Sequence, residues 1–300
     1  MSAVPDGRDD AELLELEVDV IHGLTARDGQ GPPTLRDGKL TAVFAWTPRA
    51  RILALASGVP HPSAPVPAQG MAHPSAPARG TAHPTGPAQG TAPPTGPARN
   101  TAHATGPAQN TAPPTARTQD PAEQPYTPAT PPNVLLQLCE HLGKGPEAVE
   151  GGPCFVFPPS PADAPAATVP EAAGVGVIVS DPPGRAAARR LARPGNWEPG
   201  EWDELTRGVL GEWAMAVHGG GPVSICFSPA CNDRAAEAGI WTRPDFRGRR
   251  IAPAVVAAWA ERERRTKQVL FYSTTTDNLA SRSVARTLGL TPLGWIWTLR

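Results

Sequence analysis

The sequence predicts an α+β fold whose C-terminal part is a mixed α/β sheet, and three observations carry that expectation. From Ala172 onward, short apolar runs bounded by glycine alternate with apolar stripes at helical spacing, as in a sheet covered by helices. Before it comes a smaller set of strand-like segments with one helical segment, which predicts a small α+β accessory region. Residues 60–132, which interrupt that region, hold 19 of the 39 prolines in the chain.

Residues 1–12, rich in Asp and Glu, are expected to be disordered. Leu14, Leu16, Val18 and Val20 alternate with Glu15, Glu17 and Asp19, the period of a half-buried strand. Residues 39–46 and 51–56, joined by Thr47-Pro48-Arg49-Ala50, predict a hairpin. Residues 67–116 are five copies of a ten-residue unit such as PARGTAHPTG. Its prolines remove amide donors, and its Ala, Gly and Thr bury too little area to offset the entropy of ordering, so 60–132 is expected to be a disordered insertion in a loop. Beyond it, Asn133 is expected to cap a helix through Leu135, Leu136, Leu138 and Leu142 that Gly143 ends, and 154–157 is a short strand. The accessory region thus takes 13–59 and 133–160.

The C-terminal domain is expected over 172–300. It opens with a buried strand at 174–180 and a short basic helix at 184–193. Trp202, Leu205, Val209, Trp213 and Val217 form one stripe, which predicts a helix ending at Gly219. Strands are expected at 223–227 and 235–242, and an Arg- and Gly-rich loop then leads into a helix with Ala252, Val255, Val256 and Trp259 on one face. A strand at 268–273, a helix capped by Asp277 or Asn278 and a last strand at 295–299 complete the domain.

A net charge of −1 excludes a general affinity for nucleic acid, and no apolar run approaches the roughly 20 residues that span a bilayer, so no membrane partner is expected. Cys139, Cys154, Cys226 and Cys231 have neither metal-knuckle nor disulfide-scaffold spacing, and Cys226, between Ile225 and Phe227, reads as a buried thiol. Reduced thiols and the lack of a secretory pattern predict a cytoplasmic protein without a metal site. Of the seven histidines, His61, His73, His83 and His103 fall in the proline-rich tract and read as solvated side chains. From Asp233 on, 12 Lys and Arg face 6 Asp and Glu, so this end attracts anions.

The segment Glu237 to Trp259 concentrates the chemistry. A loop entering a helix start offers free backbone N–H groups and the positive end of the helix dipole, and Arg247, Arg249 and Arg250 add charge beside Gly248; a pyrophosphate suits such a site. Arg247-Gly248-Arg249-Arg250-Ile251-Ala252 resembles the pyrophosphate loop of the GCN5-related N-acetyltransferase (GNAT) family, and Asn278-Leu279-Ala280-Ser281 through Leu288-Gly289-Leu290 resembles its second motif, in the family's order.

The resemblance implies a sheet that splays between 235–242 and 268–273 to admit acetyl-CoA as co-substrate. It places the backbone of Ile240, Trp241 and Thr242 along the pantetheine arm, the amides of Arg247, Gly248, Arg249, Arg250, Ile251 and Ala252 around the pyrophosphate, and Asn278 and Ser281 beside the cofactor. It implies an acetyl transfer to a primary amine of a small molecule or protein that the sequence does not identify. Glu237 is the candidate general base, with a solvent-facing strand carboxylate as the alternative; Tyr272 is the candidate acid, with a core tyrosine as the alternative. Three positions depart from the family pattern: Arg250 replaces a glycine, Ala285 a tyrosine acid, and Ser273 the glutamate of one branch. They motivate a second reading, a catalytically degenerate acyl-CoA-binding or interaction protein.

Overall fold

The computed structural model describes residues 9–25, 33–36, 38–62, 127–159, 168 and 174–300, whose strands form one sheet covered by helices. The repeats at 67–116 lie outside the described residues. In chain order the elements are α1 (Asp10–His22), β1 (Leu24–Thr25), β2 (Thr34–Leu35), β3 (Ala42–Trp46), β4 (Arg51–Ala56), α2 (Asn133–His141), β5 (Val149–Val156), β6 (Gly176–Val179), α3 (Pro182–Ala188), α4 (Pro199–Arg207), β7 (Trp213–His218), β8 (Gly221–Cys231), β9 (Ala235–Thr242), α5 (Ile251–Glu263), β10 (Val269–Ser273), α6 (Leu279–Thr287) and β11 (Thr291–Leu299). The strand order is β1-β2-β4-β3-β11-β5-β10-β9-β8-β7-β6. Only β9 with β10 and β2 with β4 run parallel.

The two-residue period of the strands divides the core between the two faces. Cys154 and Val156 of β5 and Val269 and Phe271 of β10 point toward α1, whereas Phe155, Leu270 and Tyr272 point toward α5 and α6. α2 packs Leu135, Leu138 and Cys139 against Trp297 and Leu299 of β11. Helices α3 and α4 cover Trp213, Met215 and Ile225. Trp259 of α5 is fully buried and satisfies its indole by donating to Ser228 Oγ at 3.0 Å.

Several sequence expectations are corrected. The alternation at 14–20 is not a strand but the middle of α1, which takes in residues 10–12 as well. Asp10 and Glu12 favour the start of a helix, Gly23 at φ 66° ends it, and Leu13, Leu14, Glu17 and Val18 recur at helical spacing on its buried side. The expected helix from Trp202 to Val217 breaks at Gly208, whose φ of 75° only glycine adopts readily, and Trp213 to His218 continue as a strand. β6 is a half-exposed edge strand, not a buried one. Asn133 is the first residue of α2 and Pro132 precedes it as the cap position, with no side-chain cap. The accessory region at 13–59 and 133–160 is not a separate body: β5 lies between β10 and β11, and β3 pairs with β11, so both parts extend the C-terminal sheet.

Candidate functional site

The parallel pairing of β9 with β10 covers only Ala235, Ala236 and Glu237 against Val269, Leu270 and Phe271, and then stops. β9 runs on to Thr242 held by β8, while β10 runs on to Ser273 held by β5, so the two part company. Between them opens a cavity of about 1050 Å³, bounded by Ile240, Trp241 and Thr242 of β9, by Tyr272, Ser273 and Thr274, by the start of α5 and by Asn278, Ser281, Ser283 and Thr287 along α6.

The α5 end of the cavity is electropositive for local reasons. Arg243 N–H donates to the Val223 carbonyl, and its guanidinium takes both oxygens of Asp245 at 2.7 and 2.9 Å, holding the Asp245 carboxyl below its ordinary range. A short 3-10 turn, Pro244–Phe246, brings the chain to Arg247, Gly248 and Arg250 on the cavity wall. No side chain caps α5, and the amides of Gly248, Arg249 and Arg250 find no partner among the described residues. Gly248 has φ 75°, and Arg250, the residue before the helix, has φ 57°, a left-handed conformation that costs a side-chain-bearing residue roughly 1 kcal/mol. Arg249 is the one residue of the expected pyrophosphate loop that does not line the cavity. Its guanidinium stacks 4.6 Å from the centre of the Phe246 ring, with Arg243 also over that ring at 4.4 Å.

At the fork itself stands Glu237. Its Oε1 accepts from Ser273 N–H at 2.6 Å and from Ser273 Oγ at 2.8 Å, which takes up the backbone donor at the point where the two strands separate. Glu237 is not a solvent-facing carboxylate, being only 5% exposed. Burial pushes its carboxyl up to about 7, against the pull of the two Ser273 hydrogen bonds. Glu237 does not border the cavity, but Ser273 does, so the serine hydroxyl is its link to that space. Tyr272 is fully buried beneath the cavity, with its hydroxyl 2.6 Å from Ser281 Oγ, and burial raises its phenol well above the ordinary value. Asn278 spends its side-chain oxygen on Ser281 N–H at 3.0 Å, capping α6.

Sequence reasoning missed Glu17. It was expected on the polar face of a strand, yet it is fully buried on α1, and its carboxyl is raised far above its ordinary range by burial and then by the charge of Glu237. The Cys154 thiol beside both acids is raised in turn by burial and by Glu17. The helical recurrence of Leu13, Glu17 and Val20 was the one signal available.

Residues 156–291 match the family model of the acetyltransferase (GNAT) domain. No curated protein matches the chain. Similar solved structures include a GCN5-related N-acetyltransferase-like protein from Streptococcus suis, at 18% identity over 56% of this chain and 68% of that one, with a TM-score of 0.36. A GCN5-related N-acetyltransferase from Kribbella flavida is 18% identical over 56% of this chain and 63% of that one, with a TM-score of 0.36. One from Sphaerobacter thermophilus is 19% identical over 58% of this chain and 57% of that one, with a TM-score of 0.40. The match begins on the last residue of β5 and ends on the first of β11, so α1 and most of both strands lie outside it. Over residues 156–291, where the sheet forks around its cavity, the chain carries an acetyltransferase domain of the GNAT family.

Proposed function

We propose that the chain transfers an acetyl group from acetyl-CoA to an amine. The observation that carries this reading is the cavity at the fork, which joins an uncapped, arginine-lined helix start to a buried carboxyl near neutrality. The co-substrate supplies an activated acetyl thioester. The free amides at Gly248, Arg249 and Arg250, with Arg247 and Arg250, hold a pyrophosphate, and the open edge of Ile240 to Thr242 offers backbone partners to an extended amide-bearing arm. Ser273 Oγ takes a proton from the acceptor ammonium as it passes its own to Glu237 Oε1, which leaves a neutral amine able to attack. Tyr272, kept protonated by its burial, and Ser281 supply hydroxyl donors on the cavity floor.

Calorimetric titration of acetyl-CoA into the full chain tests the binding half. Micromolar affinity is expected, weakened about a hundredfold or more in an Arg247→Ala, Arg250→Gly double variant, since each of the two lost charged contacts is worth about 1.5–3 kcal/mol. No binding at millimolar acetyl-CoA, or binding that ignores the double variant, overturns the site. Binding without transfer to any of a panel of amines would favour the degenerate reading.

A further inference from the structure

Three of the four carboxyl oxygens of Glu17 and Glu237, both Glu17 oxygens and Glu237 Oε2, are buried without a nitrogen or oxygen partner among the described residues, and Glu17 has only a weak donor, the Cys154 thiol, beside it. The fourth, Glu237 Oε1, takes both Ser273 donors. Among the described residues, no cation pairs with either acid. The titratable groups that respond to it are Cys154 on β5, on the same face, and Cys226 and Tyr272 across the sheet, none of which is positive at neutral pH. Of the other acids of α1, Asp10 meets Arg49 at 3.9 Å and Asp19 accepts from Asn232 at 3.0 Å, while Glu12 and Glu15 are exposed. Two like charges in such surroundings cannot both form near neutrality, because the second would meet the first with little solvent to screen it.

We infer that Glu17, supplied by α1 from outside the matched domain, is the partner acid of Glu237: the pair keeps one proton after Glu237 has ionised, and Ser273 connects them to the cavity. The Ser273 donors stabilise the charge on Glu237, which ionises first, while Glu17 stays protonated as the neutral neighbour. Glu17 is thus a positioning residue. It fixes the pair at a single negative charge, so Glu237 is the member free to accept a proton. The use made of that proton rests on the acetyl-transfer reading, but the sharing itself does not.

The test is a carbon NMR titration of the full chain labelled at the glutamate carboxyl carbon, with no cofactor or acceptor present. In the wild type, one buried glutamate should titrate near pH 7 and another should remain protonated well above that pH. Glu17→Gln should abolish the upper titration and keep the one near 7. Glu237→Gln should abolish the one near 7 and lower the titration of Glu17, since the charge that held it up is gone. Every glutamate titrating in the ordinary carboxylate range, or a Glu17 titration indifferent to Glu237→Gln, overturns the inference. Should neither variant fold, the wild-type spectrum decides: no glutamate carboxyl still protonated above pH 7 sinks it. A shared proton with no acetyl-CoA binding would leave this inference standing and remove the proposed function.

Discussion

Glu263 at the end of α5 and Glu237 at the fork of β9 and β10 are almost equally buried, at 1% and 5% exposure, yet their surroundings are opposite. Glu263 accepts from Glu212 N–H at 2.9 Å and from the Ser228 hydroxyl, which in turn accepts from Trp259 Nε1. Nearby, Arg262 holds the Glu212 carboxylate with contacts of 3.1 and 3.2 Å. Donors converge there, and the acid ties α5 to β7 and β8. Glu237 instead has one oxygen bonded and one orphaned, with a second acid across from it. Burial of an acid is therefore no sign of chemistry by itself. What separates the two sites is the unsatisfied oxygen beside a second buried acid, and the serine that opens onto a cavity.

The largest expected effect is on the satisfied acid. Glu263→Ala should lower unfolding stability by about 4 kcal/mol, since it strands the Glu212 amide and the Ser228 hydroxyl, and a urea titration at pH 7 reads it. A loss below about 1 kcal/mol would erase the contrast between the two sites.

Next comes the pH dependence of the orphaned acid. Its folded value of about 7 lies above the ordinary 4.5, so the stability it contributes is fully present below about pH 4.5 and is lost as pH rises through 7. The loss amounts to about 3 kcal/mol between pH 5 and 8, the reverse of what a salt-bridged carboxylate gives. Glu17, raised as well, adds in the same direction. Urea midpoints across that range should fall in the wild type and fall much less in Glu237→Gln; a flat wild-type profile contradicts the assignment.

Smaller is the relief of strain at Arg250. Arg250→Gly should add about 1 kcal/mol while weakening acetyl-CoA binding, a trade that calorimetry and melting together can resolve. The subtlest is Ser273→Ala, which removes one of the donors that favour ionised Glu237 and should move its titration upward with little change in fold.

The parts of the molecule written locally were legible in the sequence. Strand β9, helix α5 and strand β10 stand where the apolar spacing put them, because strand alternation, the Arg-Gly loop and a helical stripe are each complete within a dozen residues. The Asn278 cap was equally plain. The cavity-lining residues Ile240 to Thr242, Arg247, Gly248, Arg250, Asn278 and Ser281 came from motif spacing, whereas the side chain of Arg249 lies over a neighbouring phenylalanine ring, a contact that motif spacing does not reveal. What misled was pattern without context. Alternation over seven residues fits a strand or a helix on a broad apolar bed, and the stripe from Trp202 to Val217 ran through a glycine that turns the chain. The partnership of Glu17 with Glu237 was illegible because 220 positions of chain separate the two and only the docking of α1 unites them.

The place of β5 has a consequence for assembly. Glu150 and Thr298 face each other in the sheet across 148 positions of chain, and β3 reaches β11 from farther still. Nucleation inside the matched domain cannot close the sheet, since β10 keeps a bare edge until a strand from upstream docks on it. A topology so dependent on distant encounters should collapse slowly, with its midline the last seam to zip.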